Sequence, residues 1–458
     1  MTPTTRAARL LPLLASATLL VAGLVLLLGT HPAEPFAAGL LRVDALSAYF
    51  LVVVGAVALT VTAAGPPPAG EPDAQLRYAG WLVLFLGAMT LTLLADNLGL
   101  MWVGIEGTTI ATAFLVGHRG DRRAVEAAWK YVVLGSVGVA IALFGLVLLY
   151  AAGSGEQRTL SWSALMADPA MLDPDLARLA LALAVLGLAT KAGLAPMHAW
   201  LPDAHSQAPA PVSGLMSGVL LSVAFYGILR LQAVSDLVVG PGLMRALLVG
   251  GGLLSLGVAT ALMLGQRDLK RLLAYSSTEH LGLIALGAGI GGPLALGAAL
   301  LHVVAHGLAK AVLFVTAGRI LDETGTVRLG DLHGLLAERP RLAWPLLGGM
   351  ATLLGLPPGA LFLTELGILA AAWQQGLGWV SLLAASLLAV AFAALARHTL
   401  SITLGAGPGD DATSDAGRAG SFARPAPLGL ALAATVLVGL TPGMQTVLDR
   451  AAAALGVS

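Results

Sequence analysis

Thirteen runs of about twenty mostly apolar residues succeed one another along this chain, near 8–30, 42–64, 78–95, 98–117, 125–151, 177–202, 209–232, 243–265, 271–290, 293–320, 342–374, 378–400 and 425–446. A helix of about 20 residues crosses the ~30 Å hydrocarbon core of a bilayer. Lipid offers no partner to an open backbone, so runs of this length are expected to span as helices. Only 11% of the 458 residues are charged, against roughly 25% in a soluble domain, too few to cover a globule of this size. The expected fold class is an all-α polytopic membrane protein of about 13 transmembrane helices. The chain has no Cys, which excludes thiolate metal sites, iron–sulfur ligation, disulfides and a Cys nucleophile. Its formal net charge of zero argues against a nucleic-acid partner. The first run carries Arg6 and Arg9 but lacks a persuasive cleavage site, and its length suits a retained span.

Charge placement sets the orientation. With successive loops on alternating sides, sixteen Lys and Arg fall on the side of the N-terminus and six on the other, with three Lys inside spans. The positive-inside rule then puts the N-terminus in the cytoplasm and the C-terminus outside. Between spans, PPPAGEPD at 66–73 cannot continue a helix. Residues 152–176 are polar and mildly acidic, and 405–424 form a Gly/Asp/Ser-rich loop expected to be flexible. No stretch is long enough for an extramembrane domain, so function lies within the bilayer or in a docked partner.

The ionisable residues inside spans point to that function. Of four Lys against twenty-one Arg, Lys130, Lys191 and Lys310 fall within spans, as do Glu106, Glu279 and Glu365. Arg keeps its charge at any biological pH, whereas a buried Lys exchanges a proton readily. A charge at mid-bilayer costs at least ~2.5–3.5 kcal/mol, so such a set needs partners or water and reads as a proton or ion path. His302 and His306 lie one helical turn apart with Lys310 a further turn on, sharing one face. Plainer roles also fit some members. Lys130 lies near a span end, where snorkelling serves equally well. Glu126 reads as interfacial, and Glu279 with His280 reads equally as a structural hydrogen-bonding pair. The His302/His306 spacing also suits zinc, but no HExxH or Cys supports a metal.

Two spans look broken. The run 177–202 ends in KAGLAPMHAWLPDAHSQAPAP, with Pro196, Pro202, Pro209 and Pro211, and Pro357 with Pro358 interrupts 342–374. Interrupted helices in two halves point to an inverted-repeat transporter with its site near mid-membrane. Lys191 lies just before the first break and Glu365 just after the second.

These residues also carry a family resemblance. The string LATKAGLAPMHAWLPDAHSQAPAPVSGLMSGVLLSVAFYGILR resembles the signature of the antiporter-like proton-conducting subunits of respiratory complex I, group 4 membrane-bound hydrogenases and multi-subunit cation antiporters. NLGLMWVGIEGTTIATAFLVG, RDLKRLLAYSSTEHLGLIALG, LHVVAHGLAKAVLFVTAGRI and GLPPGALFLTELGIL agree, in the family's order from about residue 40 to about 375. STEH at 277–280 is similar to hydrogenase-4 component F and its kin more than to mainline complex I. The resemblance implies a fourteen-helix fold, of which this chain lacks the first helix, with two inverted five-helix repeats each containing a discontinuous helix. It implies a division into N-terminal helices (1–77), a first repeat (78–232), a second repeat (243–400), the loop at 401–424 and a C-terminal helix (425–458). By motif, Glu106 matches the family's essential glutamate and Lys191 the lysine of the first broken helix, which form an ion pair in the family. His302 and His306 match relay histidines, Lys310 the lysine after them, and Glu365 the terminal acid. Lys130 and Lys270 fall on positions usually basic. Many relatives have a Lys where this chain has Ser222 and a His where it has Met216, so either water held by Ser222 bridges the gap or the path is degraded here.

The function implied is a proton-translocating subunit of an NADH:quinone oxidoreductase-like or hydrogenase-4-like complex, with no redox catalysis by the isolated chain. Iron–sulfur, flavin or nickel–iron centres and quinone would belong to partner subunits, namely other membrane-arm subunits and a peripheral redox arm. A Na+/H+ antiporter subunit and a non-conducting scaffold are the alternatives.

Overall fold

The computed structural model describes residues 2–29, 34–65, 70–154, 158–405, 425–441 and 443–456. Of the expected loop breaker at 66–73, residues 66–69 lie outside the described residues, as does nearly all of the loop at 405–424, while Pro72 and Asp73 already belong to the next helix. The helices are α1 (Pro3–Leu28), α2 (Ala45–Ala64), α3 (Pro72–Leu94), α4 (Leu98–Val116), α5 (Arg122–Ala151), α6 (Trp162–Ala167), α7 (Pro174–Ala192), α8 (Trp200–Gln207), α9 (Ala210–Leu215), α10 (Leu221–Val238), α11 (Gly242–Leu264), α12 (Leu269–Ile290), α13 (Gly292–Thr324), α14 (Leu335–Glu338), α15 (Pro340–Leu353), α16 (Ala360–Gln374), α17 (Gly378–Leu404), α18 (Pro425–Leu440) and α19 (Met444–Ala453). Among the described residues, β-pairing is confined to isolated bridges.

Nine of these helical spans are long and apolar enough to cross a membrane, and a tenth is reached if α18 and α19, which meet at 78°, count as one. The chain is a membrane protein with multiple apolar spans. The other expected crossings are helical but differ in kind. α7 and α12 are 19 and 22 residues long and are diluted by Asp175, Arg178 and Lys191 and by the SSTEH stretch at 276–280. α15 and α16 have 14 and 15 residues and are separated by the Pro357–Pro358 break. Helix starts follow local chemistry. Asp44, Asn97, Asp121, Asp173 and Asp268 each accept from a backbone N–H of the first turn of α2, α4, α5, α7 and α12, satisfying groups that have no intrahelical partner.

α3, α4, α5, α7 and α10 pack in sequence, and α11, α12, α13, α16 and α17 form a second group. The span Ala210–Val238, in which α9 and α10 are joined by a π-turn at Met216–Leu220, is enclosed all round, as is most of α13. α1 lies on the outside against α2 and α3. The short α8 touches both α5 and α12 and so lies between the two groups. α5 and α7 approach backbone to backbone at Gly187, where a Cβ would stand 2.4 Å from the Ala142 nitrogen and 2.5 Å from the Gly138 oxygen. That closeness sets α7, and with it Lys191, against α5.

One feature of the interior departs from the sequence reading. Arg42 and Arg230, counted there as loop charges, are buried, 6% and 2% exposed. Arg230 Nη2 donates to Asp44 Oδ1 at 2.7 Å; Arg42 pairs with Asp44 at 2.9 Å and with Asp96 at 3.2 Å. Both guanidinium groups lie over the Trp162 ring, 4.1 and 4.6 Å from its centroid. Asp96 also accepts from Ser161 and Ser163. The two Arg and two Asp cancel, which is how four charges are tolerated together away from water. They tie the segment before α2, the α3–α4 turn, α6 and α10 into one corner. Removing one partner of such a buried pair leaves an uncompensated charge and costs about 3–5 kcal/mol, whereas replacing both by apolar groups is far milder. Arg230→Ala is therefore expected to lower the thermal unfolding midpoint in detergent more than the double change Arg230→Met with Asp44→Leu. The reverse order would show that the pair is not the stabilising contact.

Candidate functional site

Lys191 is the penultimate residue of α7 and fully buried. Its ammonium donates to Thr109 Oγ1 at 2.9 Å and to the Tyr131 hydroxyl, and it stands 4.6 Å from the centroid of the Tyr131 ring. Thr109 in turn donates to Glu106 Oε2 at 3.1 Å, one helical turn back on α4, and Ser136 of α5 donates to Glu106 Oε1 at 3.2 Å. The direct Glu106–Lys191 ion pair implied by the family resemblance is thus absent among the described residues; a threonine hydroxyl stands between the two charges. The break after α7 is held by Trp200, whose indole N–H donates to the Thr190 carbonyl at 2.9 Å, and by Ser255, which accepts from the Ala195 N–H at 2.9 Å.

The second cluster lies between α12, α13 and α16. His302, His306 and Lys310 follow one another along α13, all fully buried. The ring of His280 on α12 meets two of them: its Nδ1 is 2.9 Å from His302 Nε2, and its centroid is 5.2 Å from that of His306. His302 Nδ1 is 2.8 Å from Thr364 Oγ1 on α16. Among the described residues, neither ring nitrogen of His306 has a hydrogen-bond partner. Lys310 donates to the Leu273 carbonyl at 2.7 Å and to Ser276 Oγ. Glu279 does not pair with its neighbour His280, because successive residues of α12 point to different sides. Glu279 instead lines a recess of about 440 Å³ together with Glu365. Gly355, at φ +63°, backs the second acid: a Cβ there would lie 2.6 Å from Glu365 Oε2. Among the described residues no group of three His, Asp or Glu side chains is arranged to hold a metal ion.

A comparison with protein families matches residues 95–392 to the NADH:quinone oxidoreductase/Mrp antiporter transmembrane family. The chain belongs to this family. It is 39% identical over 345 residues to a hydrogenase-4 component F homolog of Methylacidiphilum infernorum, an alignment covering 74% of this chain and 72% of that one. It superposes on a chain of respiratory complex I from Thermus thermophilus with TM-score 0.75 and 28% identity, covering 96% and 92% of the two chains. Its fold also matches a chain of the Mrp complex from Dietzia sp., with TM-score 0.84 and 23% identity over 99% and 92%. It is an antiporter-like membrane subunit of the kind found in complex I, hydrogenase and Mrp-type assemblies.

Within this family member, the auxiliary candidates fall differently from the sequence expectation. Lys130, read as lying inside a span, is 47% exposed and pairs with Glu126 at 2.8 Å and Asp203 at 3.4 Å. Its position near the start of α5 lets the side chain reach the surface. Lys270, read as a loop charge, is 1% exposed, because α8 packs over the start of α12 and offers the Ala208 and Ser206 carbonyls at 2.7 and 3.3 Å. Ser222 is buried and its hydroxyl lacks a hydrogen-bond partner among the described residues; Met216 is buried at the π-turn. One residue on, Ser217 is 2.7 Å from Ser277 of α12. Sequence reasoning missed Thr109, Tyr131, Ser276 and Thr364, since no periodicity distinguishes a hydroxyl that meets a charge from one that bonds its own helix. It also left His280 out of the site, although the STEH string contained it.

Because Thr109 both accepts from Lys191 and donates to Glu106, Thr109→Val leaves the buried Lys191 ammonium and the half-buried Glu106 carboxylate each short of a partner. Such a loss costs about 1–3 kcal/mol. Thermal unfolding in detergent is expected to show that loss, and Thr109→Ser to restore most of it; equal stability of the Val variant would remove Thr109 from the link.

Proposed function

We propose that this subunit translocates protons along a buried relay of Glu106, Lys191, His302, His306, Lys310 and Glu365, coupled to redox chemistry in partner subunits of a hydrogenase-4-like or NADH:quinone oxidoreductase-like complex. One observation carries the reading. Lys191, Lys270 and Lys310 are fully buried, yet among the described residues none has a carboxylate within ion-pair distance; their ammonium groups rest on hydroxyls and backbone carbonyls. A lysine clamped by a carboxylate is fixed in its charged form. One resting on neutral oxygens can take up or release a proton as its surroundings change. The carboxylate that would tip Lys191 is Glu106, one hydroxyl away. The partnerless ring nitrogens of His306 and hydroxyl of Ser222 support the same reading, since buried polar groups without protein partners are where water bonds.

In this scheme protons load Lys191, pass through water to His306 and His302, reach Glu365 and leave on the opposite side. Ser222, Lys270 and Glu279 assist, and Lys130 serves at the surface. The broken helices α7/α8 and α15/α16 are the discontinuous members of two inverted repeats within about 13 crossings, with the N-terminus cytoplasmic and the C-terminus outside a bacterial inner membrane. Iron–sulfur, flavin or nickel–iron centres and quinone belong to the partners.

Lys191→Ala is expected to abolish proton uptake in proteoliposomes holding the purified complex while leaving the complex assembled. Undiminished uptake would refute the assignment. Uptake that needs sodium but no electron donor would instead place the subunit in a cation antiporter.

A further inference from the structure

His205 of α8 belongs to none of the groups described above. It is fully buried, and among the described residues neither ring nitrogen has a hydrogen-bond partner. Its ring stacks on Phe314 of α13, with centroids 4.8 Å apart and planes at 17°. Ser213 Oγ donates to its backbone carbonyl at 3.0 Å, fixing the backbone but leaving the imidazole free. Packing alone does not account for this residue. A phenylalanine would make the same stack without burying two polar atoms, each of which costs about 1–3 kcal/mol when unpaired.

Its surroundings form a sequence. The charged neighbours of the imidazole are Lys270 and Lys310. Lys270 holds the Ser206 and Ala208 carbonyls, directly after His205, so its ammonium caps the chain break that the histidine adjoins. Around Lys270 stand Arg119, Asp268 and Asp322, of which Arg119 and Asp322 are exposed. Lys310 in turn has Glu279, His280 and His306 as further titratable neighbours.

We propose that His205 is a second loading point of the relay, taking protons from the face capped by Lys270 and passing them to Lys310 in the same turnover that loads Lys191, so that flux needs both. The proposal rests on the proton-relay reading given above and deepens it. A neutral imidazole carries one N–H and one bare nitrogen. A proton arriving at the bare nitrogen makes the imidazolium, and release of the original N–H proton to the neutral amine of Lys310 restores the neutral ring as the other tautomer. No charge is left on the histidine, and a ring flip or return of the tautomer readies it again. This route feeds the second cluster without passing Met216 and Ser222, where the family's usual ionisable side chains are missing.

The test uses the complex purified through this chain, reconstituted in liposomes with an entrapped pH dye and a potassium diffusion potential, with flux normalised to assembled complex. His205→Gln, polar but not titratable, is expected to reduce proton flux about ten-fold or more, in the range that a positioned acid–base group supplies. His205→Phe, which keeps the stack on Phe314, is expected to do the same, and it carries the test alone should the Gln variant not assemble. Wild-type flux in the Phe variant would make His205 a packing residue and overturn the proposal. Lys191→Ala runs in parallel. Flux lost there but retained in both His205 variants sinks this inference and spares the relay; flux retained in all three sinks the relay itself.

Discussion

An ammonium group away from water needs oxygen around it, and which oxygen decides what the group can do. The three buried lysines of this subunit meet that need with neutral acceptors: Thr109 and Tyr131 at Lys191, carbonyls freed at the α8–α9 break at Lys270, and a helical carbonyl with Ser276 at Lys310. The rest of the architecture follows from supplying those oxygens. The broken helices expose carbonyls that an intact helix would consume, and the close crossing of α5 and α7 at Gly187 brings the Tyr131 hydroxyl within reach of Lys191. The contrast lies in the corner formed by Arg42, Asp44, Asp96 and Arg230, where carboxylates hold the cations directly. Those charges are locked by mutual neutralisation, and guanidinium would not release a proton in any case. One interior thus holds two kinds of buried cation, lysines resting on neutral oxygens and arginines held by carboxylates.

Much of this was legible from the amino-acid order, for definite reasons. Long apolar runs fix helices because lipid leaves the backbone no alternative, and the prolines at 196, 202, 209, 357 and 358 mark both breaks because each removes a donor. Lys191, His302, His306, Lys310 and Glu365 stood out because ionisable residues are rare in such runs. The residues that were misread depend on packing between distant segments. Lys270, counted as a loop charge, is covered by α8, more than sixty residues away, whereas Lys130 reaches the surface from within its helix, as the snorkelling alternative allowed. Arg230 lies near a span end, where sequence alone reads a solvated charge; only the approach of Asp44, 186 residues earlier, reveals a buried one.

The two acids of the recess illustrate how backbone shape and side-chain placement are joined. Glu279 enters from α12, and Glu365 from α16 after the second break. The left-handed turn at Gly355 lets the Glu365 carboxylate lie against bare backbone where any other residue would put a carbon atom. Two carboxyl groups facing one space resist being charged together, so a proton gained by either is felt by the other.

The eight-residue α8 is fastened on both sides. Asp203 reaches Lys130 of α5 with one oxygen and Arg271 of α12 with the other, while Trp200 closes on the end of α7 and the carbonyls of Ser206 and Ala208 hold Lys270. A strut pinned to both groups of helices cannot follow one without straining against the other. Were the groups to tilt, the Ser206 and Ala208 carbonyls would shift against Lys270, and displacement would become a change in the oxygens around an amine.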